Sequence, residues 1–210
     1  MIEESLYQRY FNALLAGRRP ECHETVQNLV DANIDIKALY GDLFQRSMYQ
    51  VGELWENNRI TVANEHLATS ITESLLNLSY PLVFAVPRKS RKALISCSPN
   101  EYHQVGGKMV ADIFELNGWD GHFIGANAPA EDMVQYIQEI KPDVVGLSLA
   151  ILSNIDQLKH GIEVIRADFP NMDLLIGGQA FRWGGIDMIK SYPGADYVSS
   201  LDALEKMIRL

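Results

Sequence analysis

Short apolar runs alternate with segments of helical periodicity from residue 92 to the end of the chain. The apolar runs predict strands at 92–97, 120–125, 143–149, 173–176 and 195–199. The segments that follow them predict helices at 103–117, 129–140, 154–167, 183–190 and 201–209. Strands that alternate with helices form parallel sheets with helices packed on both faces. Residues 87–210 are therefore expected to form a doubly wound sheet of five parallel strands.

Residues 1–86 show no strand pattern and are expected to form an N-terminal four-helix bundle. Gly17 and Pro20 separate the first two helices, and Thr61 is expected to cap the fourth. The third helix is predicted from apolar residues that recur once per turn, namely Ile36, Leu39, Tyr40, Leu43, Phe44, Met48, Val51, Leu54 and Trp55. The inward residues predicted for the fourth are Val62, Leu67, Ile71, Leu75 and Leu78. The basic run Arg88–Lys92 is expected to be the linker between the two domains.

An acid and an imidazole stand two positions apart just after the first predicted strand, in the segment EYHQVG at 101–106. In an open α/β sheet, ligands bind in the loops beyond the carboxyl ends of the strands. Residues two apart in extended backbone point the same way, so Glu101 can accept a hydrogen bond from one ring nitrogen of His103 and leave the other for a metal. A single loop histidine is more often only solvated, so this interpretation depends on the residues that follow.

The ends of the third and fourth predicted strands carry small residues. Gly106 and Ser148 are separated by 41 residues, and the fourth strand leads into Gly177 and Gly178. Glycine lets the backbone approach a bulky ligand, and a serine hydroxyl can donate to a ring nitrogen. Any one of these glycines alone could equally close a turn between a strand and a helix. Together, at one edge of a parallel sheet, they favour a shared ligand site.

These residues resemble the signature of the cobalamin-binding family, in which Asp or Glu-x-His-x-x-Gly is followed at similar intervals by Ser-x-(small or branched residue) and by Gly-Gly. The resemblance implies a flavodoxin-like (Rossmann-like) domain that binds cobalamin base-off, with His103 as the lower ligand of cobalt. The residues implied for this site are Glu101, His103, Gly106, Ser148, Ala150, Gly177 and Gly178. In the family the displaced nucleotide tail runs past the serine and glycine positions. Ala150 is a departure, because the family more often has Leu, Val or Thr there.

In the helical domain, nine residues lie between Trp55 and the pair Glu65-His66. Taken alone, the tryptophan could fill a core and the pair could belong to a solvated face. The segment 52–69 is, however, similar to the helical cap of the cobalamin-dependent photoreceptors and related cobalamin sensors. That similarity implies an upper pocket around the adenosyl group formed by Trp55, Val62, Glu65 and His66. In the best-known members the residue after the tryptophan is a histidine that captures cobalt, whereas this chain has Glu56. Capture by that route is therefore not expected, and His66 or water is left as the alternative ligand.

Composition limits the classes of partner. A net charge of −9 argues against a nucleic-acid surface, and the densest basic run, Arg88–Lys92, is expected to be a linker. Cys22 and Cys97 give neither a disulfide framework nor metal-ligand spacing, which is typical of a reducing cytoplasm. An acidic start and the lack of a long apolar run argue against a signal peptide or a membrane span. His23, His122 and His160 have no acid or cysteine partner at ligand spacing and are expected to be structural or exposed.

Two functions are consistent with these residues. The first is a light- or cofactor-responsive sensing module that holds adenosylcobalamin, has no catalytic residues and no DNA-binding domain of its own, and signals through a protein partner or a change of homo-oligomer. The second is a corrinoid protein that carries a methyl group, as methylcobalamin, between methyltransferases. Methyl carriers usually have Asp-x-His-Asp-x-Gly, whereas this chain has Glu101 and Gln104. They also lack the arrangement of Trp55 with Glu65-His66, so the sequence favours sensing.

Overall fold

The computed structural model describes residues 2–209, which form two compact units. A helical unit extends to Ala85, and a sheet unit begins at Val86. Among residues 2–209, no helix combines the length and the apolar character that crossing a membrane requires.

The helical unit consists of helices joined by short turns. Its elements are α1 (Glu4–Leu15), α2 (Arg19–Asp31), α3 (Ile36–Ala38), a π-helical segment (Leu39–Gln45), α4 (Arg46–Glu56), α5 (Val62–Leu76), a 3-10 turn (Asn77–Ser79) and α6 (Tyr80–Val83). The α3 helix, the π-helical segment and α4 follow one another without a break and act as one long helix. This long helix packs on α5, and α1 and α2 pack on each other and on α5. The predicted N-terminal four-helix bundle is confirmed.

Aromatic side chains fill the centre of the helical unit. Tyr7, Tyr10, Tyr40 and Phe44 are each at most 1% exposed. The ring of Phe44 lies 6.0 Å from that of Tyr40 and 6.5 Å from that of Tyr10. The hydroxyl groups of Tyr40 and Ser79 are 2.7 Å apart, so the polar end of this buried ring is hydrogen-bonded. The unit therefore has a hydrophobic core of its own.

The long third helix departs from the predicted regular geometry in two ways. Its middle, Leu39–Gln45, is π-helical, a form in which hydrogen bonds span an extra residue. Leu43 and Phe44 in this segment are nevertheless fully buried, which is why the apolar pattern gave no sign of it. At the end of the helix, Trp55 was predicted to continue the buried stripe, but it is 39% exposed.

The fourth helix of the bundle, α5, begins with the predicted cap. The Oγ1 of Thr61 accepts a hydrogen bond from the Asn64 amide, and the Asn64 side chain accepts one from the Thr61 amide. Val62 and Leu67 were predicted to face inward, but they are 49% and 37% exposed. Leu67 instead covers Gly17, where a Cβ would collide with its side chain. The inward positions are taken by Ala68, Ile71, Thr72, Leu75 and Leu76.

The sheet unit contains five parallel strands in the order β2-β1-β3-β4-β5. The strands are β1 (Lys92–Cys97), β2 (Asp120–Phe123), β3 (Val144–Ser148), β4 (Asp173–Gly177) and β5 (Ala195–Val198). The helices are α7 (Val105–Leu116), α8 (Ala130–Ile140), α9 (Ile155–Asp168), α10 (Ile186–Ile189) and α11 (Leu201–Ile208). This order is that of flavodoxin-like sheets, and the predicted fold class is confirmed. The helix predicted at 183–190 is shortened to α10, because Gly184 and Gly185 before it have φ values of +132 and +88.

The central strands carry the core of the sheet unit. Leu94, Val145, Leu147, Leu174 and Ile176 are each at most 2% exposed and pack between the helices. Such near-continuous apolar runs are typical of strands that are covered on both faces.

Strand register brings the predicted loops to one edge of the sheet. Cys97 pairs with Ser148, and Ser148 pairs with Gly177. Strands β1 and β3 are neighbours although β2 lies between them in sequence, so the connections from β1 and β3 leave in opposite directions. A crevice for ligands forms at such a reversal of strand order. The loop that carries Glu101 and His103 starts at this point.

The basic run before β1, Arg88–Lys92, is exposed but is hydrogen-bonded to the sheet unit. Arg88 forms an ion pair with Glu115 and donates to the backbone oxygen of Trp119 at 2.9 Å. The amide of Lys89 donates to the backbone oxygen of Gly118 at 2.6 Å. These bonds fix the run to the turn that follows α7.

Gly118 lies against the backbone of Pro87, the residue just before this run. Its φ is +83, and a Cβ there would lie 2.5 Å from the carbonyl oxygen of Pro87. We predict that Gly118→Ala lowers the free energy of unfolding by roughly 2–5 kcal/mol, combining a left-handed backbone cost of about 1–2 with a crowding cost of about 1–3. Urea unfolding followed by circular dichroism measures the change.

The matched control is Gly125→Ala, because Gly125 has a φ of +90 and the nearest atom to its added Cβ is 3.7 Å away. This variant should lose only the backbone contribution, about 1–2 kcal/mol. Equal losses in the two variants would contradict the close contact between Pro87 and Gly118.

Candidate functional site

The carboxylate of Glu101 is buried at the carboxyl edge of the sheet and is held by backbone amides. Glu101 is 1% exposed. Its Oε2 accepts hydrogen bonds from the amides of Ala150 and Ile151 at 2.9 and 3.0 Å, and its Oε1 accepts one from the amide of His103 at 3.0 Å. Burial raises the pKa of Glu101, but the hydrogen bonds from His103, Ala150 and Ile151 lower it by more, so the pKa lies below its ordinary value. Glu101 is therefore ionised at neutral pH.

The imidazole of His103 is oriented by this carboxylate. Its Nδ1 lies 2.6 Å from Glu101 Oε1, while the side chain is 44% exposed. An ionised carboxylate can only accept, so Nδ1 carries the proton of this hydrogen bond and the lone pair of the neutral ring is on Nε2. A carboxylate bound to one ring nitrogen fixes the ring and raises the basicity of the other nitrogen. The two-residue spacing in the sequence thus corresponds to a direct contact.

Gly106, in the first turn of α7, lies beside Ser148, the last residue of β3. A Cβ built on Gly106 would have the Oγ of Ser148 as its nearest neighbour, at 4.0 Å, which is an ordinary van der Waals contact without crowding. The next residue, Gly107, differs, because its Cβ would lie 2.9 Å from the ring of Phe123. Gly107 is thus required by packing, whereas packing alone does not require a glycine at 106.

Gly177 and Gly178 lie at the end of β4, and backbone contacts account for both of them. A Cβ on Gly177 would lie 3.1 Å from the carbonyl oxygen of Val198. Gly178 has a φ of +113, and a Cβ there would collide with the backbone of Leu149. These two glycines keep β4 and its neighbours close at the edge where Ser148 lies.

Sequence reasoning missed the groups that hold the Glu101 loop. The family pattern implicates Ala150 through its side chain, whereas in the structure its backbone amide donates to the carboxylate of Glu101. The loop is also held from the side of β2, where Asn127 hydrogen-bonds to the backbone of Asn100 and Glu101. Backbone donors leave no trace in a sequence, but an asparagine in a loop beside β1 could have been noticed.

In the helical unit, Trp55 and Val62 lie together at an open depression of about 450 Å³. The depression lies between the end of α4 and the start of α5. Its other lining residues are Asn58, Arg59, Ile60, Thr61 and Asn64. The structure thus brings two of the four predicted upper-pocket residues together.

Glu65 and His66 lie on the first turns of α5, beyond the residues that line the depression. Glu65 Oε1 accepts a hydrogen bond from Thr69 Oγ1 at 2.8 Å, and Glu65 Oε2 lies 3.5 Å from His66 Nε2. The side chain of Glu65 is 14% exposed and that of His66 is 74% exposed. The carboxylate is therefore fixed, while the imidazole points into solvent.

The prediction that His122 has no acid partner is wrong. Its Nε2 lies 3.1 Å from Asp120 Oδ2, and its Nδ1 lies 2.9 Å from the hydroxyl of Tyr136. Asp120 and His122 have the same spacing as the pair at 101 and 103, but they lie within β2. Tyr136 occupies the other ring nitrogen, so this histidine links β2 to α8.

The fold and the site together define a helical unit followed by a flavodoxin-like sheet whose carboxyl edge presents a carboxylate-oriented imidazole. A family model described as a B12 binding domain matches residues 91–206, and a second model with the same description matches residues 6–78. The chain therefore belongs to the B12-binding domain family, and it binds cobalamin.

Relatives with different roles resemble this chain. The HTH-type transcriptional repressor CarH of Myxococcus xanthus is 27% identical over 172 residues, which are 81% of this chain and 56% of the repressor. The chain thus spans about half of that relative. Dimethylamine corrinoid protein 3 of Methanosarcina acetivorans is 20% identical over 210 residues, 99% of this chain and 98% of that protein. The solved structure of the Methanosarcina barkeri monomethylamine corrinoid protein has the same fold, with a TM-score of 0.83, 14% identity and coverage of 99% and 98%.

The uncrowded space beside Gly106 gives a test in which stability and binding change in opposite directions. Gly106→Ala adds a methyl group without a close contact and removes a glycine from a helix, so the cofactor-free protein should become more stable, by up to about 1 kcal/mol. If the nucleotide tail of cobalamin lies in that space, affinity for cobalamin should fall, while affinity for cobinamide, which has no tail, should not. Thermal unfolding and spectroscopic titration measure the two effects.

The neighbouring variant Gly107→Ala is the control, because it meets Phe123 at 2.9 Å. It should lower stability and reduce binding of both corrinoids together. An equal loss of cobalamin and cobinamide in Gly106→Ala would show that the tail does not pass Gly106.

Proposed function

We propose that the protein is a sensing module that binds adenosylcobalamin with His103 below the cobalt and responds to loss of the upper group. The observation that carries this proposal is the exposed indole of Trp55. It is 39% exposed and lies at the depression with Val62, which is 49% exposed, whereas the aromatic side chains of the core, Tyr7, Tyr10, Tyr40 and Phe44, are buried. Exposed large apolar side chains around a depression are typical of surfaces that contact a ligand.

The lower side of the proposed site is supplied by His103 and Glu101. A neutral imidazole with its lone pair on Nε2 is a suitable ligand for cobalt, and the ionised carboxylate on Nδ1 holds the ring in place. Gly106, which has no Cβ, and the hydroxyl of Ser148 are proposed to line the path of the displaced nucleotide tail. Gly177 and Gly178 are proposed to keep the β4 loop clear of that tail.

The upper side is proposed to consist of Trp55, Val62, Glu65 and His66. An indole offers a flat apolar surface on which an adenine ring can stack. The fixed carboxylate of Glu65 can accept hydrogen bonds from ribose hydroxyl groups. A methyl group would use none of these features, which is why we favour the adenosyl form over methylcobalamin.

Light is the proposed signal. Adenosylcobalamin supplies a cobalt–carbon bond that green light cleaves, and this chemistry belongs to the cofactor. A ligand shifts a conformational equilibrium only through contacts that differ between two states. Loss of the adenosyl group would remove the partner of Trp55 and Glu65, while His103 would still hold the cofactor. The side chain after Trp55 is Glu56, a carboxylate, so we assign it no role in capturing cobalt.

The response is proposed to reach a protein partner or to change a homo-oligomer. A net charge of −9 disfavours direct contact with nucleic acid. The similarity to CarH, named a transcriptional repressor, supports a regulatory role.

A corrinoid protein that carries a methyl group is the second candidate. The observation in its favour is coverage, because dimethylamine corrinoid protein 3 matches 99% of this chain and 98% of its own length. CarH, in contrast, is matched over 56% of its length. In this role a methyltransferase would be the partner, and Trp55 would have no large upper group to contact.

Trp55→Ala separates these two roles. If the indole contacts the adenosyl group, the variant should lose affinity for adenosylcobalamin by about tenfold or more, since a stacked base on an aromatic ring contributes roughly 1–3 kcal/mol. Methylcobalamin, with a far smaller upper group, should lose much less. Phe84→Ala, which removes another exposed aromatic of the helical unit, is the control. Equal losses for the two cobalamins would favour the methyl carrier.

The sensing role itself is tested with protein loaded in the dark. Green light should change the hydrodynamic radius or the protease sensitivity of the adenosylcobalamin form and should have little effect on the methylcobalamin form. Absorption spectra recorded in parallel show that the cofactor has been converted. Conversion without any change in size or proteolysis, alone or with candidate partners, would contradict sensing, and a methyltransferase assay would then test the second candidate.

A further inference from the structure

The loop that carries Glu101 and His103 is held on one side by Asn127, in the loop between β2 and α8. The side-chain Oδ1 of Asn127 accepts a hydrogen bond from the amide of Asn100 at 2.9 Å. The amide of Asn127 donates to the backbone oxygen of Glu101 at 2.9 Å. One residue thus binds the backbone on both sides of the Asn100–Glu101 peptide.

The loop after β2 runs beside the end of β1 up to this contact. The amide of Ile124 donates to Ile95, and the amide of Cys97 donates to Gly125, both at 3.0 Å. These bonds continue the pairing of β1 with β2 beyond the last residue of β2, Phe123. The contact made by Asn127 closes this row.

Both asparagines have left-handed backbone conformations, with φ of +61 at Asn100 and +52 at Asn127. Asparagine and glycine adopt this conformation more readily than other residues. The contact between the two loops therefore depends on asparagine at both positions adopting a left-handed backbone, as well as on the hydrogen bonds.

We infer that Asn127 is a positioning residue for the lower ligand, acting on His103 through the backbone of Glu101. Ala150 and Ile151 fix the carboxylate end of Glu101, and Asn127 fixes the backbone end. With both ends held, the position of the carboxylate relative to the sheet is set, and the imidazole bound to it is set as well. This inference rests on the proposed role of His103, and Asn127 itself does not touch the cofactor.

Asn127 contributes to position more than to overall stability. It is an exposed residue, and the bonds described here go to the ligand-bearing loop and not to the core. A ligating group must be held within about 0.5 Å of its working position, so a small gain in loop freedom affects binding more than folding.

The test compares Asn127→Gly with Asn127→Asp. Glycine adopts the left-handed backbone readily and removes the side-chain acceptor, although it also gives the backbone more freedom, which the Asn33→Gly control measures. Aspartate keeps an acceptor at the same place. Cob(II)inamide is the probe, because it has no nucleotide base, so nitrogen splitting in its electron paramagnetic resonance spectrum reports ligation by the protein. We expect Asn127→Gly to bind it about tenfold more weakly, at the low end for loss of an outer partner of a metal ligand. Asn127→Asp should restore most of the affinity and the splitting.

A second measurement needs no cofactor. Amide hydrogen exchange in peptides that cover residues 98–104 of the cofactor-free protein should become faster in Asn127→Gly and should be slowed again in Asn127→Asp. The control is Asn33→Gly, which removes another left-handed asparagine, with φ of +59, from the turn between α2 and α3. It should change neither the exchange of that loop nor the binding of cob(II)inamide.

The reference variant His103→Ala separates the failure of this inference from that of the proposed site. If His103→Ala loses the nitrogen splitting while Asn127→Gly retains normal splitting, affinity and exchange, Asn127 has no positioning role and the lower ligand stands. If His103→Ala keeps the splitting, His103 is not the lower ligand, and the inference about Asn127 fails with it.

Discussion

The buried carboxylate of Glu101 is the interaction on which the candidate site depends. A charge with 1% exposure is costly unless its oxygens are hydrogen-bonded, and here the amides of Ala150, Ile151 and His103 bind them. Those amides belong to the β1 and β3 loops, so satisfying one charge ties two loops together. The same carboxylate orients the imidazole, which means that the site and the local fold are stabilised by one set of bonds.

The sheet topology makes that set of bonds possible. Because β1 and β3 are adjacent while their loops depart in opposite directions, the amides after Ser148 come within reach of a side chain that follows β1. Close backbone contacts at Gly177 and Gly178 continue this edge to β4. The fold does not decide the role, since repressors and methylamine corrinoid proteins both resemble this chain. The surface around Trp55, on a unit with its own core, is where such roles can diverge.

Most of the fold follows from local patterns. The five strands and their helices are predictable because, from about residue 92 on, short continuous apolar runs alternate with segments whose apolar residues recur once per helical turn. The cap at Thr61 is predictable from its residue type. Exceptions have tertiary causes. The π-helical segment Leu39–Gln45 keeps its apolar residues buried, so periodicity did not reveal it. Leu67 lies over Gly17, which is far away in sequence, and does not enter the core.

The sequence by itself determined the pairing of Glu101 with His103, because residues two apart in an extended segment face the same way. It also determined that position 106 presents no side chain beyond the backbone, since only glycine lacks a Cβ. The tertiary structure alone decided which groups anchor the carboxylate and its loop, namely the amide of Ala150 and the side chain of Asn127. Backbone amides are the same in every residue, so their partners are set by strand order and register, which a linear pattern does not contain.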